Sequence, residues 1–272
     1  MKSARLAEPW RVYDEVEARL SAPLSERMLD LAGLRPGMRV LDLAAGRGEP
    51  AVRGAKRVAP NGSVLGIDVA ESVLAIGRER AAREGVTNLE LCVGDAEALA
   101  GVTDESFDAA TARWGLMYMG APVTALASAR RALRPGGVLM AAFWAEPARV
   151  AWAAMPRKIL ARFRQVPSLE PPDPNAPGAF RYAARDTIER DLQAAGFAVE
   201  HVEEMDVPVI EAPDGAGIVA WVRDLGLVKE ALELSDADYA AWERGIAEEA
   251  EKGRVGDVVQ VGGVSRVVVA RR

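Results

Sequence analysis

The sequence predicts an α/β protein built on a doubly wound parallel sheet. Short apolar runs alternate with helical patterns from residue 38 to 144. The stretches between successive runs are long enough for crossover helices. The first run, Val40-Leu41-Asp42-Leu43, passes directly into a glycine-containing turn, Ala44-Ala45-Gly46-Arg47-Gly48, ahead of a helix. Together these features imply parallel strands with helices on both faces. In such sheets ligands bind beyond the carboxyl ends of the strands, beside the first one.

Each element has its own signal. Residues 9–32 read as two short helices, with Pro9 in a first turn, Ser21 and Pro23 opening the second and Gly33 closing it. Strand one fits 38–44 and a helix fits 49–58; Pro60-Asn61-Gly62 is a turn. Strand two is 63–67, followed by a helix over 71–84 that stops at Gly85. Strand three is 88–93, strand four 107–112, a helix 122–133, and strand five 138–144 after Arg134-Pro135-Gly136-Gly137. The alternation then breaks. Residues 146–180 begin helically and become rich in proline (Pro167, Pro171, Pro172, Pro174, Pro177), as either a lid or a surface insertion. A helix over 185–195 precedes strand six at 197–207, residues 214–252 look helical, and a final strand pair fits Val258–Val261 and Val264–Ala270. The expected organisation is an N-terminal helical cap (1–35), a ligand-binding core (36–145), a lid insertion (146–184) and the end of the sheet (185–272), the last carrying a helical insertion at about 214–254.

Composition narrows the function. With 272 residues, half of them hydrophobic, and a net charge of −6, the chain reads as a soluble globular protein, and nucleic-acid binding is disfavoured. The single cysteine, Cys92, excludes an internal disulfide and a cysteine-rich metal site, and no metal is expected. There is no apolar signal segment and no run long enough to span a bilayer, so a cytoplasmic protein is expected. The expected partner is a small molecule; the chain could be a monomer or a homodimer.

The turn Gly46-x-Gly48-x-x-Ala51, with Asp68 twenty residues beyond Gly48, satisfies a loose dinucleotide fingerprint. Alone it fits a nicotinamide enzyme. Asp42 lies four residues before the first glycine, however, where a carboxylate would repel a pyrophosphate. Asp68 and Asp95 end strands two and three. Three carboxylates around a glycine turn suit S-adenosylmethionine, which carries an ammonium and a sulfonium. Asp68 can accept from two ribose hydroxyls and Asp95 from the adenine amino group, beside the Ala96 amide; the Ala44 and Gly46 amides can hold the methionine end.

Val40–Gly48, Gly66-Ile67-Asp68-Val69, Gly94-Asp95-Ala96-Glu97, Phe107-Asp108 and Leu133-Arg134-Pro135-Gly136-Gly137 resemble, in order, the motifs of class I S-adenosylmethionine-dependent methyltransferases. The pattern is similar to the ubiquinone/menaquinone-biosynthesis methyltransferases and their natural-product relatives over about 36–145. The resemblance implies a Rossmann-like seven-stranded sheet, strand seven antiparallel between five and six. It implies cofactor contacts at Asp42, Ala44, Gly46, Gly48, Asp68, Val69, Asp95 and Ala96, with Arg113 near the methionine end. Arg47 stands where the family carries a threonine or small residue, so its side chain must point away from the ligand.

A sulfonium methyl is already activated, so transfer needs alignment more than acid–base help. A carbon or phenol nucleophile also needs a proton removed. Tyr118 and Tyr13 are candidate bases, with Glu49 a further possibility; His201, on strand six, reads as structural. Trp10, Trp114, Met117 and Trp144 are candidate acceptor contacts, each equally readable as core packing. The expected activity is methyl transfer to a small aromatic or quinoid acceptor, at carbon, oxygen or nitrogen. The alternatives are an NAD(P)-dependent oxidoreductase and a non-catalytic S-adenosylmethionine-binding relative.

Overall fold

A computed structural model describes residues 2–169, 173 and 176–272, and the side chains from Arg11 onward within that range. Three of the five prolines of the lid stretch, Pro171, Pro172 and Pro174, lie outside the described residues, as does the Trp10 side chain.

The strands are β1 (Arg39–Leu43), β2 (Ser63–Asp68), β3 (Leu89–Val93), β4 (Phe107–Arg113), β5 (Leu133–Trp144), β6 (Ala198–Ala212), β7 (Arg254–Val255) and β8 (Val258–Arg271). They form one sheet in the order β3-β2-β1-β4-β5-β8-β6, with β7 paired to β8. The first five are parallel; β8 runs antiparallel between β5 and β6. β1, β4 and β5 are central and buried, which is why they read as nearly continuous apolar runs. β6 is an edge and carries charge along it, at Glu200, His201, Glu203 and Glu204. The order reverses between β1 and β4, so the crevice above those two strands is the place for a ligand.

The helices are α1 (Lys2–Leu20), α2 (Ala22–Leu31), α3 (Ala51–Val58), α4 (Glu71–Arg83), α5 (Pro122–Ala132), α6 (Ala151–Leu160), α7 (Arg185–Ala194), α8 (Gly215–Asp224) and α9 (Asp236–Ala250). α1 packs on β6, α4 and α2; α8 packs on β6 and α9; α6 packs on α9 and β8. The Trp242 indole fastens α9 to α6 by donating to the Pro156 carbonyl at 2.9 Å. Ser235 caps α9, accepting from the Asp238 amide at 3.2 Å.

The doubly wound sheet with its antiparallel insertion is as expected, and several boundaries differ; β5 begins at Leu133 where 138 was expected. The expected terminal strand pair is one strand, β8, running straight through Gly262-Gly263. A Cβ at Gly262 would lie 2.0 Å from the Val207 carbonyl oxygen, and one at Gly263 2.7 Å from the Val150 Cα. These glycines permit close approach instead of making a turn. The eighth strand, β7, is a two-residue partner turned back onto β8 at Gly256 (φ +60°). β6 extends to Ala212, and α1 reaches back to Lys2.

Candidate active site at the ends of β1 and β4

The turn after β1 is strained and closely packed. Ala44 (φ +54°) and Trp114 (φ +55°) both adopt left-handed backbone at the ends of neighbouring strands. A residue other than glycine held there is unusual and occurs at functional sites. Gly115 lets the two strand ends meet, since a Cβ on it would sit 2.5 Å from the Ala44 Cβ. Asp68 ties the turn to β2. Its Oδ2 accepts from the Gly46 amide at 3.0 Å and its Oδ1 from the Ala70 amide at 2.9 Å. Each oxygen keeps a second acceptor position.

Two cavities open over this turn. One, of about 450 Å³, is lined by Asp68, Val69, Asp95 and Ala96. Asp95 Oδ1 accepts from the Glu97 amide at 2.8 Å. Val69 is 73% exposed, an apolar surface ready for a flat ring. The second cavity, of about 320 Å³, is walled by Trp114, Trp144, Trp152, Trp221 and Met117. Trp114 stacks on Trp144 with centroids 4.3 Å apart, and Trp144 meets Trp152 edge-on at 5.7 Å. The cavities share Ala44, Arg113, Trp114 and Tyr118, so one elongated ligand or two ligands in contact can span them.

Buried charge closes the floor of the second cavity. Arg113 Nη1 donates to Ser21 Oγ at 2.5 Å and lies 3.3 Å from Glu17 Oε1; its guanidinium sits 4.6 Å from the Trp114 ring centroid. Arg47 pairs with Asp14 at 3.0 Å and with Glu17. Arg80 pairs with Asp14 at 2.5 Å and with Glu49 at 3.4 Å. Glu49 also takes Arg53 at 3.1 Å. Burial pushes the Glu17 carboxyl up, but Arg113, Arg47 and the Ser21 hydroxyl outweigh it and hold the group at about 2. Arg47, expected to point away from the ligand, lines the second cavity, where the α1 carboxylates of Asp14 and Glu17 receive it.

Most of the expected site residues gather here. Ala44, Gly46, Asp68, Val69, Asp95, Ala96, Arg113, Trp114, Met117, Tyr118 and Trp144 all line one or both cavities. Gly48 (φ +84°) lies beneath the turn, where a Cβ would meet Val52 at 3.0 Å and Gly77 at 3.3 Å. Three expectations need correcting. Asp42 lines neither cavity; it is 1% exposed, and its Oδ1 accepts from Thr111 at 2.5 Å across the β1–β4 register. Burial pushes its carboxyl up to about 7, against the pull of Thr111 and Arg113, so it braces the turn from behind. The Gly46 amide is already donated to Asp68. Tyr13 does not line the cavities: its hydroxyl donates to Asp224 at 2.8 Å, and its ring packs on Trp221. Burial and Asp224 raise that phenol to about 12, the wrong direction for a base. Tyr13→Phe should therefore cost about 1 kcal/mol of stability in a urea titration and leave turnover unchanged. His201 is on the outer edge, 2.8 Å from Glu203.

Sequence reasoning missed Asp14, Glu17, Arg80, Trp152, Val209, Trp221 and Leu227 as site residues. No group of three or more metal-ligating side chains is assembled among the described residues, and no described helix is long and apolar enough to cross a membrane.

A family model described as a methyltransferase domain matches residues 34–167. The chain is 37% identical over 174 residues to the ubiquinone/menaquinone biosynthesis C-methyltransferase UbiE of Bordetella avium, covering 61% of this chain and 66% of that protein. Against the Cupriavidus necator counterpart the match covers 44% of the relative. It is 31% identical over 223 residues to the nocamycin O-methyltransferase of Saccharothrix syringae, covering 79% of each. Among solved structures, an S-adenosylmethionine-dependent methyltransferase from Aquifex aeolicus superposes with a TM-score of 0.54 at 21% identity, over 72% of this chain and 90% of that one. The [4+2]-cyclase SpnF superposes at 0.55 and 22% identity, over 92% and 80%. At such identities the superpositions speak for the fold alone. The relative 31% identical over 79% of both chains decides the family: this chain belongs to the class I S-adenosylmethionine-dependent methyltransferases.

Proposed function

We propose that the protein transfers a methyl group from S-adenosylmethionine to a small aromatic or quinoid acceptor held in the tryptophan-walled cavity. The observation that carries this is the junction of the two cavities at Ala44, Arg113, Trp114 and Tyr118. The residues fit the cofactor. Asp68 retains acceptor capacity on both oxygens for a ribose, and Val69 and Ala96 flank room for adenine beside Asp95. Arg113 and the turn lie where a methionine carboxylate would reach. When bound, S-adenosylmethionine supplies a methyl carbon already activated by a sulfonium.

The chain's own task is then placement. Trp114 and Trp144 offer a stacked, flat surface, and Met117, 1% exposed, seals the floor beneath it. Holding the acceptor against that wall fixes its approach and keeps water out. Tyr118 stands at the junction. More than half of its side chain is exposed, yet desolvation pushes its phenol above the ordinary value. At neutral pH it is a proton-bearing donor that can orient an acceptor oxygen.

The test is calorimetric binding of S-adenosylhomocysteine together with labelled methyl transfer into a panel of phenols, indoles and quinols. Binding in the micromolar range with label in at least one class is expected. Tight binding of a nicotinamide nucleotide with none of S-adenosylhomocysteine would overturn the reading. Cofactor binding with every acceptor inert would instead favour a non-catalytic relative.

A further inference from the structure

The acceptor cavity is small, and the way it is enclosed sets what fits. Pockets that hold drug-sized ligands run from about 300 to 1,000 Å³. This one, at about 320 Å³, stands at the lower end. An acceptor does not have all of it, because Gly46, Arg47 and Arg113 line it too, and the methionine end of the cofactor would lie against them. The remainder is walled by Met117, Trp144, Trp152, Val209, Trp221 and Leu227. None of these six lines the neighbouring cavity, so they form the end remote from the junction. Met117, Trp144, Val209 and Trp221 are buried, with protein and not solvent behind them.

The remote end is also fastened. Trp221 stands on α8, and the Tyr13 ring of α1 packs on it with centroids 5.9 Å apart. The Tyr13 hydroxyl donates to Asp224, at the end of the same helix, at 2.8 Å. α8 packs on β6 and α9, and α9 is tied through Trp242 to α6, which carries Trp152. Trp152 is flanked by Trp144, edge-on, and by Phe180, stacked at 6.4 Å. The charged side of the cavity is closed by ion pairs, Glu17 with Arg47 and Arg113 and Glu49 with Arg80. An aliphatic chain pressed there would part charges that have no other solvation. Among the described residues, Trp221 makes no ring contact with another tryptophan of the wall. It can therefore be cut back without undoing the Trp114–Trp144 stack.

Resting on the methyl-transfer reading above, we propose that the acceptor is a compact mono- or bicyclic ring with no long aliphatic chain opposite its reacting atom, and that Trp221 imposes this limit. The reacting atom must face the junction, where the methyl carbon arrives. A substituent on the opposite side of the ring then points at the remote wall. If that wall gave way, each added methylene would strengthen binding by hydrophobic transfer. If it holds, each one overfills a packed site.

The experiment uses phenols and catechols bearing a para hydrogen, methyl, butyl or octyl group. Binding to the S-adenosylhomocysteine complex is read by calorimetry, and labelled methyl transfer by kcat/KM. In the wild-type protein, affinity and kcat/KM should both fall about 10- to 100-fold between the methyl and octyl members, the loss that overfilling brings. Trp221→Ala should raise the ratio of butyl to parent affinity about 10-fold, and Trp221→Phe should raise it by less. S-adenosylhomocysteine binding shows that each variant is folded, and the Trp221→Phe ratio decides the matter if Trp221→Ala does not fold. Wild-type affinity that holds or rises through the octyl member would overturn the proposal, as would a size limit unmoved in the folded variants. Failure of the wild-type protein to bind S-adenosylhomocysteine would instead sink the methyl-transfer reading.

Discussion

Asp68→Asn should weaken S-adenosylhomocysteine binding by at least 100-fold. The wild-type carboxylate already holds the Gly46 and Ala70 amides at 3.0 and 2.9 Å, so it is fixed in place before a ribose arrives. Two further charge-assisted bonds to ribose hydroxyls would each contribute about 1.5–3 kcal/mol. Asparagine keeps the shape and one acceptor oxygen, but its amide turns a donor toward either the Gly46 or the Ala70 N–H and loses one oxygen for a hydroxyl. Losing about 3 kcal/mol corresponds to roughly two decades in Kd. Calorimetry measures it directly. A thermal melt of the unliganded variant separates this loss from damage to the turn, because the Gly46 and Ala70 bonds belong to the empty protein as well. An affinity within 3-fold of wild type would remove Asp68 from the cofactor site.

The half of the site legible in the sequence is the half built from strand ends. Asp68, Asp95 and Arg113 each close a strand whose apolar run announces it, and a parallel sheet carries all such ends to one edge. Trp144 was legible for the same reason. Trp152 and Trp221 were not, because they come from α6 and α8, whose helical patterns say which face is apolar but not what it faces. Tyr13 shows the same limit. It was a candidate base, and its real partner, Asp224, lies 211 positions away. Asp42 failed differently. Its position in β1 was right, but its environment depends on Thr111 in the neighbouring strand, which neutralises the argument that it meets a cationic ligand. Gly262-Gly263 looked like a turn because a glycine pair reads the same way whether the chain bends or another backbone passes close. Arg47 departs from the family pattern, which implied only a side chain turned from the ligand; its α1 partners, Asp14 and Glu17, lie 33 and 30 positions away.

Glu17→Gln should cost about 3 kcal/mol at pH 7, the largest single loss of stability expected from this site. Glu17 is 4% exposed and sits between Arg47 and Arg113. Removing its charge takes from Arg113 the carboxylate it pairs with and leaves Arg47 with Asp14, and breaking one side of a buried pair is costly. The sign with pH follows from the depressed carboxyl. Its value drops from 4.5 in the open chain to about 2 in the folded one, so its contribution is complete above pH 4.5 and fades as pH falls toward 2. The stability gap between wild type and Glu17→Gln should therefore be constant from pH 8 to 5 and narrow below that. Asp42 has the opposite sign. Its folded value, about 7, lies above the ordinary 3.8, so the native state holds a proton that the unfolded chain releases, and stability declines as pH rises between those values. Asp42→Asn should flatten that decline and make the variant more stable relative to wild type at pH 8 than at pH 5. Urea titrations of wild type and the two variants at pH 3.5, 5, 6.5 and 8 measure both slopes. If Glu17→Gln matches wild type at pH 7, α1 is not held through this carboxylate. The arginine cluster would then have to be balanced by Asp14 and Glu49, and the Arg113 guanidinium would stay in place without its α1 partner.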